Sequence, residues 1–115
     1  MSQTLLPMKG SVPTPSRTDR HVNLSTGEST EVIDALAAES ARDIFQAVCA
    51  EPMTTADIAD VVGTSLQNVQ YHLANLEEAG LVEVVDTWYS RKGREMQVYA
   101  GTTRRIVIGC GSDSS

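Results

Sequence analysis

Apolar residues recur at the intervals of one, three and four that a helix requires in four successive segments between residues 31 and 79. The four apolar stripes are Val32, Ile33, Leu36 and Ala37; Ile44, Phe45, Val48 and Cys49; Ile58, Ala59, Val61 and Val62; and Leu66, Val69, Leu73 and Leu76. We expect these side chains to face a common core. The first helix is expected over Glu31–Ala38.

Capping residues mark where the second and third helices begin. Ser40 and Asp43 have the spacing of a capping box, in which each side chain satisfies a free amide group at the helix start. Thr54 and Asp57 repeat this spacing at the start of the third helix. The third helix is expected to end at Gly63, because glycine readily adopts the left-handed conformation that closes a helix.

The fourth helix follows after a very short corner. Ser65 is a favourable N-cap, and the helix is expected to run from about Leu66 to Ala79, with Gly80 as its stop. Two helices joined by a corner of about three residues that contains glycine are the signature of a helix-turn-helix.

After Gly80 the pattern changes from helical to strand-like. Residues 81–89 and 96–99 are rich in β-branched and aromatic side chains and predict two antiparallel strands, joined by a turn at Ser90–Arg94. The apolar run Ile106–Ile108 predicts a short extra strand. The expected fold is therefore mainly α with a small β-hairpin, a winged helix-turn-helix whose wing is the hairpin.

The chain has 115 residues, which is enough for one small domain. Residues 1–28 are rich in proline, serine and threonine and lack apolar periodicity, so we expect a disordered N-terminal tail there. The folded domain is expected over residues 29–109 and a flexible tail over 110–115. Arg17, Arg20 and His21 leave two interpretations of the N-terminal tail, a solvated leader or a basic arm that touches a DNA minor groove.

The charge distribution argues against nucleic-acid binding when it is taken alone. Nine basic and fifteen acidic residues give a net charge of −6. Between residues 30 and 100 the basic residues are Arg42, Arg91, Lys92 and Arg94, whereas twelve acidic residues lie there. The acidic composition, with arginine favoured over lysine, is typical of a halophile. Molar salt shortens the Debye length to about 3 Å, which weakens the charge objection.

The outward face of the fourth helix carries amides where a solvated helix would carry acids. Gln67 and Tyr71 lie opposite the apolar stripe, flanked by Asn68 and Gln70, and no acid occurs in this helix before Glu77. An amide presents a donor and an acceptor together, the geometry that pairs with adenine N6 and N7 in the major groove. We therefore expect this face to read DNA bases.

The basic residues are concentrated after the fourth helix. No basic residue lies between Asp43 and Ser90, and five then follow within fifteen positions: Arg91, Lys92, Arg94, Arg104 and Arg105. Phosphate contacts position a protein on DNA, whereas base contacts specify the sequence. We expect Arg91, Lys92 and Arg94 of the wing to contact phosphates while the helix reads bases.

Three segments resemble the ArsR-type winged helix-turn-helix transcriptional regulators, particularly haloarchaeal ones. They are Thr54–Ala59, Gly63–Leu73 and Leu76–Val82, and the resemblance extends over about Glu31–Ala100. It implies that the helix with the pattern Ser-x-x-x-Val-x-x-His-Leu enters the major groove and that the hairpin reaches the adjacent backbone. The reading surface that it implies consists of Ser65, Gln67, Asn68, Gln70, Tyr71 and His72.

The resemblance does not extend to the metal sites of that family. Its metal sensors use a Cys-x-Cys on the third helix or acidic and histidine ligands on a C-terminal helix. Thr55–Val62 contains no cysteine, and the chain after Ala100 looks extended, so we expect no metal and no cofactor. A homodimer is still expected, because the core is small and two copies match two half-sites. The first helix and the strand Ile106–Ile108 are the candidate interfaces.

Several other properties follow from what the sequence lacks. Cys49 and Cys110 lie far apart and are expected to be reduced thiols, with a redox-sensitive intermolecular disulfide through Cys110 as the alternative. No apolar run of about 18 residues and no secretory signal occur, so we expect a cytoplasmic protein without a membrane span. No nucleophile, base or phosphate-binding glycine loop has a recognisable spacing, so we expect no enzymatic activity.

Two functions remain. The first is a sequence-specific, dimeric regulator of transcription that binds double-stranded DNA. The second is a winged-helix module that contacts another protein through its acidic surface, which includes Glu77, Glu78 and Glu83. Because one fold can host many functions, the amide-rich outward face of the fourth helix is the feature that favours DNA.

Overall fold

The computed structural model describes residues 17–111, and the winged helix-turn-helix predicted from the sequence is present in them. The elements are β1 (Thr18–Asn23), α1 (Gly27–Ala35), α2 (Glu39–Ala50), β2 (Met53–Thr54), α3 (Thr55–Val62), α4 (Leu66–Glu78), β3 (Val82–Tyr89), β4 (Glu95–Gly101) and β5 (Thr103–Gly109). Across this described range, no helix is both long and apolar enough to cross a bilayer.

The core lies where α2, α3 and α4 meet the β3–β4 hairpin. Its largest fully buried side chains are Ile44, Ile58, Leu73, Leu76, Leu81, Val32, Val48, Val69, Val82 and Val98. Most of the predicted apolar stripes therefore do face the core. Ile33, Val61 and Leu66 are exceptions, with 41%, 64% and 46% of their surface exposed, and Ala37, which follows the end of α1, is exposed as well.

The wing is an antiparallel hairpin of β3 and β4, and β2 lies on the other side of β4. Val84 lies opposite Tyr99, but the next residue of β4, Val98, lies opposite Asp86. Val85 is therefore an extra residue, a β-bulge. Because a bulge bends its strand and increases the local twist, the outer half of the wing is turned relative to its base.

The predicted boundaries of α3 and α4 are confirmed. The hydroxyls of Thr54 and Ser65 each accept a hydrogen bond from the backbone amide three residues later, at 3.2 Å and 3.0 Å. Gly63 has φ +79° and Gly80 has φ +78°, the left-handed conformation that closes a helix. These caps fix the length of the corner that joins the two helices.

The predicted boundaries of the first two helices are wrong. α1 begins at Gly27, four residues earlier than expected, and ends at Ala35 with Leu36 as its C-cap. α2 has Ala38 as its N-cap, without a side-chain capping hydrogen bond, so the expected capping box is not formed. The Ser40 hydroxyl lies instead 3.1 Å from His72 Nε2, and the Arg42 guanidinium ties the two helices together by donating to the carbonyls of Leu36 and Ala37 at 2.8 Å and 3.0 Å.

The domain boundary predicted at residue 29 is also wrong. β1 runs parallel to β5, and Val22 of β1 is 2% exposed. The solvated leader is wrong over residues 18–23, because pairing with a strand from the other end of the chain orders them, whereas a contact of this segment with a DNA minor groove stays a prediction. Local composition carries no signal for such a distant contact. Residues 1–16 and 112–115 of the predicted tails lie outside the described residues.

Ion pairs join β1 to β5, and a further ion pair joins this two-stranded ribbon to α1. Arg20 forms an ion pair with Glu28 at 2.7 Å. Asp19 of β1 accepts hydrogen bonds from Arg104 and Arg105 of β5. The hydrogen bond from Arg104, followed by that from Arg105, holds the pKa of the Asp19 carboxyl below its ordinary value. The two arginines that follow the wing in sequence are thus paired in a different part of the molecule.

Cys49 lies at the edge of the core, half-buried, where the sequence predicted a core position. A Cβ added to Gly101 would lie 2.6 Å from the Cys49 sulfur, so only glycine leaves room for this side chain. Burial raises the pKa of the Cys49 thiol, and nearby Arg17 partly offsets this effect.

We expect a thiol reagent to label Cys110 faster than Cys49 in the folded protein. Cys110 is exposed, whereas the raised pKa of Cys49 keeps it in the protonated, unreactive form at neutral pH. Brief treatment with iodoacetamide at pH 8, followed by peptide mass spectrometry, measures the two rates. In urea the rates should become similar. Faster labelling of Cys49 in the native protein would contradict the burial described above.

Candidate nucleic-acid interface

The burial of its apolar side chains sets which face of α4 is turned outward. Val69, Leu73 and Leu76 are at most 1% exposed and anchor the inner face in the core. Gln67, Gln70 and Tyr71 are exposed on the other side, and Tyr71 keeps 64% of its surface accessible. The side-chain amides of the two glutamines make no hydrogen bond within residues 17–111. Their donors and acceptors are therefore available to a ligand.

Ser65 and Asn68 shape the corner. The Ser65 hydroxyl caps α4, as described above, and the Asn68 side-chain amide donates to the Thr64 hydroxyl at 3.0 Å. The same amide lies 3.5 Å from the Ser40 hydroxyl of α2. Asn68 is half-buried, and both of its side-chain hydrogen bonds to other side chains use its amide nitrogen. Its geometry favours a role in holding the corner over a role in reading bases.

His72 is 9% exposed and does not lie on the outward surface, contrary to its inclusion in the predicted reading surface. Its Nε2 atom lies 3.1 Å from the Ser40 hydroxyl. The Tyr71 ring meets the imidazole edge-on, with ring centroids 5.1 Å apart. Helical spacing placed His72 at the border of the apolar stripe, and the packing of α2 over that border buries it.

The wing turn presents three cations to solvent. The Ser90 hydroxyl accepts hydrogen bonds from the amides of Lys92 and Arg94 at 3.3 Å and 3.0 Å, and Gly93 has φ +80°. This network makes the turn compact and directs side chains away from it. Arg91, Lys92 and Arg94 are exposed, and none forms an ion pair with another residue of the described chain.

A groove of about 410 Å³ lies between α4 and the wing. It is bordered both by the predicted base-reading face of α4 and by the predicted phosphate-binding wing. Gln70 and Leu66 line it on the helix side, and Arg94 and Gln97 line it on the wing side. The amide face and at least one wing cation therefore share one surface. Sequence reasoning missed Gln97, although its alternation with buried Val98 in β4 places it on the exposed face of the hairpin.

Tyr99 and Thr55 also line this groove and were not predicted as site residues. The Tyr99 hydroxyl donates to the Gln97 side-chain oxygen at 3.2 Å. Burial, with a smaller contribution from Glu77, raises the pKa of Tyr99, so its hydroxyl stays protonated and able to donate at neutral pH.

The opposite side of α4 borders an acidic groove of about 470 Å³. Glu31 and Asp34 of α1 line it, together with Glu78, Tyr71 and Asn75 of α4. α4 therefore separates a groove lined by one cation, Arg94, and one carboxylate, Glu95, from a groove lined by three carboxylates. No group of three histidine, cysteine or acidic side chains within residues 17–111 has an arrangement that would hold a metal ion.

Residues 36–85 match the family described as "Helix-turn-helix domain". This segment runs from the end of α1 into β3 and includes the whole of α2, α3 and α4. These 50 residues are less than half of the chain, and they have the helix-turn-helix fold. Comparison with curated proteins gives no match.

Solved structures share the fold of this winged helix-turn-helix chain at low sequence identity. NolR from Sinorhizobium fredii is 21% identical, with a TM-score of 0.52, over 65% of this chain and 69% of that one. HlyU from Vibrio cholerae is 18% identical, with a TM-score of 0.53, over 69% and 79%.

A third similar structure comes from Mycobacterium bovis. It is described as a homodimeric winged helix-turn-helix DNA-binding domain of a possible ArsR-family transcriptional regulator. It is 23% identical, with a TM-score of 0.53, over 65% of this chain and 64% of that one. At these identities the three structures establish the common fold.

Replacing Ser40 by alanine should destabilise the protein although Ser40 lies outside the apolar core. The change removes the hydroxyl that meets His72 Nε2 and leaves a buried polar atom without its partner, at a cost of about 1–3 kcal/mol. Urea unfolding measures the loss. Gln67→Ala is the matched control, because its side chain is exposed and makes no described contact, and its effect should stay within about 0.5 kcal/mol. Equal effects of the two changes would exclude the bridge between α2 and α4.

Proposed function

We propose that this protein is a transcriptional regulator of the ArsR-like type that binds double-stranded DNA as a homodimer. α4 enters the major groove, and the β3–β4 wing contacts the adjacent backbone. The observation that carries this proposal is the groove in which Gln70 of α4 faces Arg94 of the wing. It brings a base-reading amide and a phosphate-binding cation to one surface, the combination that sequence-specific DNA binding requires.

Gln67, Gln70 and Tyr71 are the residues that read bases. A glutamine amide can form two hydrogen bonds to one adenine, through N6 and N7. Both glutamine side chains are exposed and make no described hydrogen bond, so no internal contact has to break before they bind. Ser65, Asn68 and His72 act indirectly, by fixing the start of α4 and its distance from α2.

Arg91, Lys92 and Arg94 contact phosphates. The other described arginines are engaged within the domain, since Arg20, Arg104 and Arg105 pair with acids and Arg17 and Arg42 donate to backbone carbonyls. Arg17 and Arg42 keep their charge, because a carbonyl is neutral, and the other cations of residues 17–111 without a carboxylate partner are concentrated on the wing. This concentration aligns the protein so that α4, and not another face, meets the DNA.

The acidic groove on the other side of α4 opposes binding in dilute buffer. Glu31, Asp34 and Glu78 would come near the DNA backbone when Tyr71 reaches the bases. Salt shortens the Debye length from about 10 Å at 0.1 M to about 3 Å at 1 M, so it screens this repulsion. The acidic composition, with arginine favoured over lysine, fits a cytoplasm of high salt content, in which we propose that the protein acts.

A role in protein binding is the second candidate, and the acidic groove is the observation that favours it. Three carboxylates beside an exposed tyrosine could receive a basic segment of another protein. Replacing Glu31 and Asp34 by glutamine and asparagine separates the two functions. DNA affinity should rise if repulsion is relieved, whereas binding to a protein partner in a pull-down should fall.

Gln67→Ala and Gln70→Ala should relax sequence preference at the contacted base pairs. Each lost bidentate contact should reduce discrimination by about 1–3 kcal/mol. Competition assays with systematically mutated DNA sites measure this loss. Arg91→Ala with Arg94→Ala is the contrasting variant, and it should weaken binding to all sequences alike, because phosphates carry no sequence information. Loss of affinity without loss of preference in the glutamine variants would contradict base reading.

The salt dependence of binding should be shallow for a DNA-binding protein. Three phosphate contacts per chain give a slope of log K against log salt of about −2.7 by counterion release. Screening of the acidic groove opposes this trend, so the measured slope per chain should be less negative. Titrations from 0.1 M to 2 M KCl by fluorescence anisotropy test it. Neutralising Glu31 and Asp34 should make the slope steeper, and an unchanged slope would show that the groove does not face the DNA.

A further inference from the structure

β5 is paired on one edge only. Its neighbour is β1, and the two form a separate two-stranded parallel sheet. The Gly109 carbonyl accepts a hydrogen bond from the Leu24 amide on the β1 side. Because successive residues of a strand direct their peptide groups to opposite edges, the peptide groups of Ile106 and Ile108 face away from β1. In the described chain no other strand pairs with this edge.

The side chains at this edge are apolar and accessible. Val107 is 36% exposed and Ile108 is 48% exposed, and Leu24, whose amide is bonded to Gly109, is 48% exposed. Parallel sheets normally have both faces covered, and two strands alone are marginally stable. An unprotected strand edge with β-branched side chains is a template for pairing with another chain.

The charges around β5 favour a second copy of this chain as the occupant. Residues 106–111 carry no charge, and Asp19 pairs with both Arg104 and Arg105. The exposed side of α1, the other candidate interface, carries Glu28, Glu31 and Asp34. Two copies that met through α1 would bring these carboxylates together, whereas two copies that met through β5 would not.

We propose that two chains associate by antiparallel pairing of β5 with β5 of a second copy, about a two-fold axis at Val107. In this register Ile106 lies opposite Ile108 of the other copy, and both present free peptide groups, so each pair can exchange two hydrogen bonds. Arg104 and Arg105 lie opposite Cys110 and Gly109, which are uncharged. The result is a four-stranded sheet in the order β1-β5-β5-β1.

This inference gives the interface of the dimer included in the proposed function, and it can be tested without DNA. Val107→Cys in a Cys110→Ser background places two sulfurs at the two-fold axis. The Cα atoms of such a directly opposed pair without mutual hydrogen bonds lie about 4.5 Å apart, within the range for a disulfide. Mild oxidation of the full chain should give a covalent dimer on a non-reducing gel.

His21→Cys in the same background is the matched control. His21 is exposed and pairs with Val107 across the ribbon, but it lies on β1, one strand farther from the axis. Its counterpart would be about 14 Å away, given strand spacings of about 4.8 Å, and no disulfide should form. Native Cys110 should not cross-link either, because the two copies would be about 20 Å apart along the strands.

A second variant tests the interface without cysteine chemistry. Val107→Lys should convert the dimer to a monomer in sedimentation equilibrium, because it places two like charges at the axis. Circular dichroism checks that the monomer is folded. A monomeric native chain, equal cross-linking at positions 21 and 107, or a dimer that survives Val107→Lys would each overturn the β5 interface. DNA binding by a native monomer would overturn this inference while leaving DNA recognition intact.

Discussion

The burial of one face of α4 is the constraint on which the rest of the structure depends. Val69, Leu73 and Leu76 are held in the core, so the rotation of the helix about its axis is settled by hydrophobic packing. The exposed amide side chains of α4 are therefore directed away from the core. A polar contact adds to this anchor, because Ser40 of α2 bonds to His72 beside the buried stripe and fixes the spacing of the two helices.

Electrostatics divides the surface around α4 into two unequal halves. The groove toward the wing is lined by one cation, Arg94, and one carboxylate, Glu95, and the groove toward α1 is lined by the carboxylates of Glu31, Asp34 and Glu78. In an acidic protein such a division makes the wing side of α4 the more favourable one for a polyanion. The wing cations supply the attraction, and the carboxylates on the other side of α4 repel the same polyanion. Net charge alone describes neither effect.

The arginines of this chain serve two physical purposes. Arg17 and Arg42 donate to backbone carbonyls, and Arg20, Arg104 and Arg105 pair with carboxylates, so all five stabilise the domain. Those of the wing have no such partner among the described residues. A positive charge that is paired with a carboxylate adds little to long-range attraction, so the cations without such a partner, three of which lie on the wing, contribute most to the attraction of a polyanion. The β1–β5 ribbon uses three of the paired arginines and thereby links the two ends of the folded domain.

Local sequence patterns were sufficient to predict the helix-turn-helix, its caps at Thr54 and Ser65, the hairpin and the exposed amides of α4. These features depend on local residue spacing and backbone chemistry, which can be recognised from the amino-acid sequence. Tertiary structure alone decided that residues 18–23 form a strand, that His72 is buried and that Arg104 and Arg105 leave the wing surface. Each of these outcomes depends on a contact between residues far apart in sequence. The stabilisation that such a contact provides cannot be read from the local pattern of apolar residues.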